Sequence, residues 1–225
     1  WVPVPTCYPR GGREMQRLDS VAMDCHPSAI LGDRASLDDL ESDRLCEAAR
    51  SIPRIATNLL SFGPHSEFSP DSLQLDANNL GLLQYTSGST SEPKGVMVRH
   101  RNLMSNLEAI REGFHIDFQA DDEEDPDTGV FWLPFFHDMG LIGGILEPLY
   151  VGGRAILMSP RSFLQRPIRW LQYISDYRAV ISGAPNFAYQ LCVDRISPDQ
   201  ADKLDLSRWR IAFSGAEPVL PRTLH

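Results

Sequence analysis

The chain has 225 residues, 42% of them apolar, enough to bury a sizeable core in one large domain or two small ones. Its formal net charge of -9 argues against a nucleic-acid or membrane-surface role, because both need an excess of Lys and Arg. Cys7, Cys25, Cys46 and Cys192 show neither a CxxC pair nor regular spacing, so they read as reduced thiols of a cytoplasmic protein, and no apolar run is long enough to span a membrane.

In chain order, "REMQRLDSVAMDC" has helical spacing and "SAIL" reads as a short strand. "SLDDLESDRLCEAARSI" is expected to be one helix, with Ser36 and Asp39 as its capping pair. Residues 61–79, rich in Ser, Pro, Asp and Asn, read as loop. "LGLLQY" is a buried strand and "GVMV" another, with a small-residue turn between them. "HRNLMSNLEAIREGF" is an amphipathic helix with Leu103, Leu107 and Ile110 on one side, and "ADDEEDPD" is a solvated acidic loop without the Gly and distant Glu of an EF-hand. Then follow the strand "GVFWLP", the apolar helix "DMGLIGGILEPLY", the strand "RAILM", the helix "PIRWLQYISDY", the strand "AVIS", the helix "PNFAYQLCVD" and the strand "RIAFS". Strands separated by helices predict an α/β fold, a layered arrangement of a mostly parallel sheet flanked by helices. The termini, "WVPVP" and "PVLPRTLH", read as cut ends of a longer polypeptide.

Several strands lead into loops of small or polar residues: "TSGSTSEPKG", "FFHDMG", "GAPN" and "GAEP". Ligands of open parallel sheets bind beyond the carboxyl ends of the strands, so these loops are expected to converge. In the first, Gly88 permits a tight turn, Thr86, Ser87, Ser89 and Thr90 add hydroxyls to the backbone N–H groups, and Lys94 adds a charge. Donors in a concave turn with one cation suit a polyphosphate. The pattern is not a Walker loop, because Lys94 precedes Gly95 and a strand follows. His137 could donate as a neutral imidazole, counter charge when protonated, or be a structural histidine bonded to a backbone carbonyl, and Asp138 divides evenly between a site role and an N-cap.

"YTSGSTSEPKG" resembles the phosphate loop of the adenylate-forming superfamily, and "WLPFFHDMGLIGGILEPLYVGG", "SGAPNFAYQLC" and "FSGAEPV" resemble its fatty acyl-AMP ligases. The resemblance runs over nearly the whole chain and implies part of the N-terminal AMP-binding domain, residues 1–225, with the C-terminal small domain absent. It implies ATP-dependent activation of a long-chain fatty acid to an acyl-adenylate with release of pyrophosphate, then transfer to an acyl carrier protein. It also implies that Thr86, Ser87, Gly88, Ser89, Thr90 and Lys94 hold the β- and γ-phosphates, with Thr90 or Thr86 near Mg2+. His137 would line the junction of carboxylate and α-phosphate, and Gly215, Ala216, Glu217 and Pro218 would lie along the adenine. Met139, Gly140, Gly183, Asn186 and Phe187 would meet the acyl group, with Ile142 and Tyr189 as further tunnel candidates. A "YGxTE"-like stretch is not found, so the 225 residues alone are expected to be inactive or nearly so. Two other readings stay open: a fatty acyl-coenzyme A ligase, and a non-catalytic nucleotide- or lipid-binding relative.

Overall fold

The structure, a computed structural model, describes residues 2–6, 12–38, 40, 45, 47–61, 74–86, 94–116 and 127–224, with the backbone alone for Arg13, Glu47, Ala48 and Thr86. It forms two compact units, Trp1–Leu103 and Met104–His225.

In the first unit, α1 (Gly12–Cys25) buries Met15, Leu18 and Ala22, one stripe of the helix, against Leu37, Leu40, Leu45 and Ala49. β1 (Ile30–Gly32) leads to α2 (Arg34–Asp38), and α3 (Glu47–Arg50) leads to β2 (Arg54–Ala56), which pairs parallel with β1. The sequence "SLDDLESDRLCEAARSI" therefore contributes to two short helices rather than one. The cap of the first is not Ser36 but Asp33, whose carboxylate accepts from the Ser36 amide at 3.0 Å and the Ser36 hydroxyl at 2.6 Å. Those two donors hold the Asp33 carboxyl below its ordinary range. The helix begins earlier because Asp, with two acceptor oxygens, takes the cap, and Ser36 becomes its donor. β3 (Leu80–Thr86) and β4 (Lys94–Arg99) pair antiparallel, with Tyr85 opposite Gly95 and Thr86 opposite Lys94. α4 (His100–Gly113) follows β4 directly; it begins in the first unit and its remainder, with the buried Leu107, belongs to the second.

The second unit holds β5 (Thr128–Phe131), a π-helix (Met139–Leu146) continuing into α5 (Glu147–Val151), β6 (Arg154–Leu157), α6 (Pro160–Gln165), α7 (Ile168–Asp176), β7 (Ile181–Ala184), α8 (Asn186–Arg195), α9 (Pro198–Ala201), β8 (Ile211–Ser214) and α10 (Pro221–Leu224). The sheet order is β6–β5–β7–β8, every pair parallel. Successive residues of β5 and its continuation face opposite sides. Val130 and Trp132 join Phe163, Trp170 and Ile174 in one core cluster, and Phe131 joins Ile116, Val180 and Ile181 in another. Burial of each large side chain contributes about 1.5–3 kcal/mol. The fully buried Trp170 needs a partner for its indole N–H, and donates to Ser182 Oγ at 2.7 Å, which in turn donates to the Val130 carbonyl at 2.5 Å.

The apolar helix expected at "DMGLIGGILEPLY" has π winding over its first eight residues. Three glycines fall in that run, and one meets the segment after β5 while another meets β5 itself. A Cβ at Gly140 would lie 2.3 Å from the Pro134 carbonyl oxygen, and one at Gly144 would lie 3.2 Å from Phe131. Close backbone approach replaces side-chain packing there, and π turns recur at functional sites. The acidic stretch lies, except for Asp127, outside the described residues.

Candidate active site

Because all four strands of the second unit run the same way, the segments leaving β5, β7 and β8 meet at one edge of the sheet. They are 132–138, 185–186 and 215–220. A Cβ at Gly215 would stand 3.6 Å from the Met139 methyl. The Glu217 carboxylate accepts from the Phe187 amide at 2.5 Å, on the first turn of α8. Asn186, buried, accepts from the Leu220 amide at 3.0 Å through its side-chain oxygen. Tyr189 donates its hydroxyl to the Phe213 carbonyl at 2.7 Å, and burial pushes that phenol up to about 12. Met139, Asn186, Phe187, Gly215, Ala216, Glu217 and Pro218 are thus gathered around the start of α8 and the end of β8.

His137 sits in a tight turn, its amide on the Pro134 carbonyl at 3.0 Å, and its imidazole is exposed beside the Phe136 ring. Asp138 acts as an N-cap, accepting from the Met139 amide at 2.7 Å. Ala216 adopts φ of 68°, a left-handed conformation unusual for a residue with a Cβ. Two glycines proposed for substrate contact have packing reasons of their own. Gly140 is pressed on the Pro134 carbonyl, and a Cβ at Gly183 would fall 2.4 Å from the Phe213 ring. Trp132, stacked on Phe163 at 4.0 Å and meeting Phe187 edge-on at 6.2 Å, has a buried indole N–H with no partner among the described residues.

In the first unit, the strands bordering the Ser/Gly-rich turn are described, and Lys94 is exposed at the start of β4. Ser87, Gly88, Ser89 and Thr90 lie outside the described residues, as does the Thr86 side chain. The sequence reading missed what surrounds this stem. Arg17 donates to the Tyr85 carbonyl at 3.0 Å, and the Tyr85 hydroxyl donates to Asp24 Oδ2. A Cβ at Gly95 would stand 2.8 Å from Cζ of Tyr85. The one signal available was a glycine inside a strand pattern, which marks close approach of something else.

Away from the edge loops, Glu147 is buried with neither carboxylate oxygen bonded among the described residues. Burial, and secondarily Glu108, pushes its carboxyl up to about 7. Glu108 is held down to about 2 by hydrogen bonds from Arg111 and from the Tyr150 hydroxyl. Among the described residues no three His, Cys, Asp or Glu side chains group as a metal site.

The AMP-binding enzyme family matches residues 2–225. The chain belongs to that family. Among AMP-binding enzymes it is 39% identical over 227 residues to the medium-chain-fatty-acid–[acyl-carrier-protein] ligase JamA of Moorena producens, covering 99% of this chain and 37% of that one. It is 37% identical over 230 residues to the long-chain-fatty-acid–AMP ligase FadD23 of Mycobacterium tuberculosis, covering 99% and 38%. The solved fatty acyl-adenylate ligase of L. pneumophila, in complex with acyl adenylate and pyrophosphate, superposes with a TM-score of 0.82 at 41% identity, over 96% of this chain and 36% of that one. The chain thus spans little more than a third of these relatives, and the expected α/β fold is that of an adenylate-forming N-terminal domain. No helix among the described residues is long and apolar enough to cross a membrane.

Proposed function

We propose that this chain is part of an enzyme that activates a long-chain fatty acid with ATP, releasing pyrophosphate and passing the acyl group to an acyl carrier protein. The observation that carries the reading is the gathering of Met139, Asn186, Phe187 and 215–218 at one carboxyl edge of a parallel sheet, in a chain 41% identical to a ligase solved with acyl adenylate and pyrophosphate. The substrate is ATP carried with Mg2+. A carboxylate oxygen attacks the α-phosphorus in line, a C–O–P linkage forms, and the bond from the α-phosphorus to the departing pyrophosphate oxygen breaks. No covalent enzyme intermediate is needed, so the protein acts by placement and charge.

In this reading Lys94, with Thr86, Ser87, Gly88, Ser89 and Thr90, takes the β- and γ-phosphates, and Lys94 offsets the charge that gathers on pyrophosphate as it leaves. His137 donates to an oxygen at the junction of carboxylate and α-phosphate, for which its exposed ring suits it. Gly215, Ala216, Glu217 and Pro218 present backbone to the adenine. The Glu217 carboxylate itself holds the first turn of α8, so its part at the nucleotide falls to the main chain. Residues 1–225 then form part of an AMP-binding N-terminal domain in a cytoplasmic enzyme.

The test is fatty-acid-dependent exchange of pyrophosphate into ATP by the longer polypeptide. Exchange that needs fatty acid, with an acyl-adenylate found by mass spectrometry, is the expected result. Acyl-coenzyme A accumulating in place of an acylated carrier protein, when both acceptors are offered, would reassign the acceptor. Absence of exchange in a protein that binds ATP would overturn acyl activation.

A further inference from the structure

We infer that Arg17 and Asp24 of α1 are positioning residues for Lys94, acting on it through Tyr85 and the β3–β4 ladder. The inference rests on the acyl-activating reading for its consequence and on the first unit alone for its geometry.

Tyr85 is the last residue before the turn's first hydroxyl residue, and only 4% of it is exposed. The alternation of the ladder explains why its carbonyl needs help. Leu83, two residues earlier on the same side of the strand, sends its amide away from β4 to the Pro3 carbonyl. Tyr85 has the same parity, so its backbone also points away from β4. The Arg17 guanidinium supplies the missing partner at 3.0 Å. Seven residues along the same face of α1, Asp24 accepts the Tyr85 hydroxyl. The helix therefore grips both ends of one residue, its carbonyl and its phenol.

Gly95 completes the arrangement. It lies directly across the ladder from Tyr85, and the ring occupies the space of its absent side chain, with Cζ 2.8 Å from where a Cβ would be. A glycine directly after Lys94 thus lets the ring cover β4 and its hydroxyl reach α1. Thr86 and Lys94, the next pair in register, inherit that placement. α1 does not depend on the grip for its own packing, since Met15, Leu18 and Ala22 anchor it to Leu37, Leu45 and Ala49. The clamp is thus separable from the fold of the unit, as a positioning device must be.

The experiment uses the longer polypeptide. ATP affinity is measured by calorimetry, exchange kinetics give separate KM values for ATP and fatty acid, and thermal unfolding is followed alongside. Tyr85→Phe, Asp24→Ala and Arg17→Met should each raise the Kd and KM for ATP about tenfold. The KM for fatty acid should stay unchanged and the melting temperature should stay within about 3 °C. Asp24→Asn, which keeps an acceptor oxygen for the phenol, should remain within about twofold of wild type. An unchanged ATP Kd in Tyr85→Phe and Asp24→Ala, or an equal rise in both KM values with a fall in melting temperature, would overturn the inference. Wild-type protein that binds ATP but performs no exchange would overturn acyl activation and leave the clamp to be decided by the Kd values. Wild-type protein that binds no ATP would overturn both.

Discussion

The turn ending in Lys94 leaves two strands paired along their lengths, and a helix that precedes it in the chain grips its root at Tyr85. The segment 215–220 leaves a strand paired with β7 and is held by α8, through Asn186 on Leu220 and Phe187 on Glu217, while Tyr189 holds Phe213 in the strand just before it. One loop is steadied before it begins and the other along its course. A hairpin stem has its geometry set by strand register, so fixing one residue of the stem also places the pair next to it. A loop that crosses the end of a parallel sheet has no such register and needs a bond at each point where it must not move.

Several perturbations would break or sharpen that contrast. The largest effect is expected at Lys94. In the longer polypeptide Lys94→Ala should lower fatty-acid-dependent exchange by about 100- to 1,000-fold while the melting temperature holds, because a stem fixed by Tyr85 does not rely on the cation it presents. Calorimetric ATP binding unchanged by this substitution would remove the turn from the site. Next is Gly183→Ala, whose methyl would meet the Phe213 ring at 2.4 Å inside the sheet; chemical denaturation should show a loss of about 3 kcal/mol. Because Phe213 also presents the carbonyl that Tyr189 holds, the disturbance should reach 215–220 and weaken ATP binding too.

A smaller effect is expected at Glu217. Glu217→Ala removes the carboxylate from the first turn of α8, and denaturation should report a loss of about 1 kcal/mol. If ATP binding weakens as well, the loop is tied along its course as described; if stability alone moves, the tie is merely a cap. The smallest effect concerns pH. The Glu147 carboxyl titrates near 7 in the fold against an ordinary 4.5, so its contribution to stability is fully present below about 4.5 and is lost as pH rises through 7. Glu108 runs the other way: its contribution is present above 4.5 and is lost as pH falls through about 2. Of these two, Glu147 is the one that changes between pH 5 and 7, so Glu147→Gln should flatten the decline of the denaturation midpoint over that range.

The edge loops were legible because small and polar residues end strands in a form that composition alone exposes, as "GAPN" and "GAEP" do. Alternating strand and helix patterns likewise announced a parallel sheet. What escaped has a common cause: the deciding partner lies far along the chain. At Gly183 the sequence offers a ligand contact but not the packing reason for a glycine, the ring of Phe213 thirty residues on. Tyr85 reads as ordinary strand core until Arg17 and Asp24 are placed against it. Short elements escaped for another reason. β2 and α6 hold three and six residues, too few for a period to declare itself. The π winding at Met139–Leu146 follows from backbone packing on Pro134, which no apolar spacing encodes.

Ala216 carries a consequence of its own. A left-handed alanine is disfavoured by about 1 kcal/mol relative to glycine, and here it is compensated by the bonds on either side of it, at Phe213 and at Glu217. Those bonds hold the kink from within the protein, so a purine bound there as proposed would spend little of its association energy on ordering the chain.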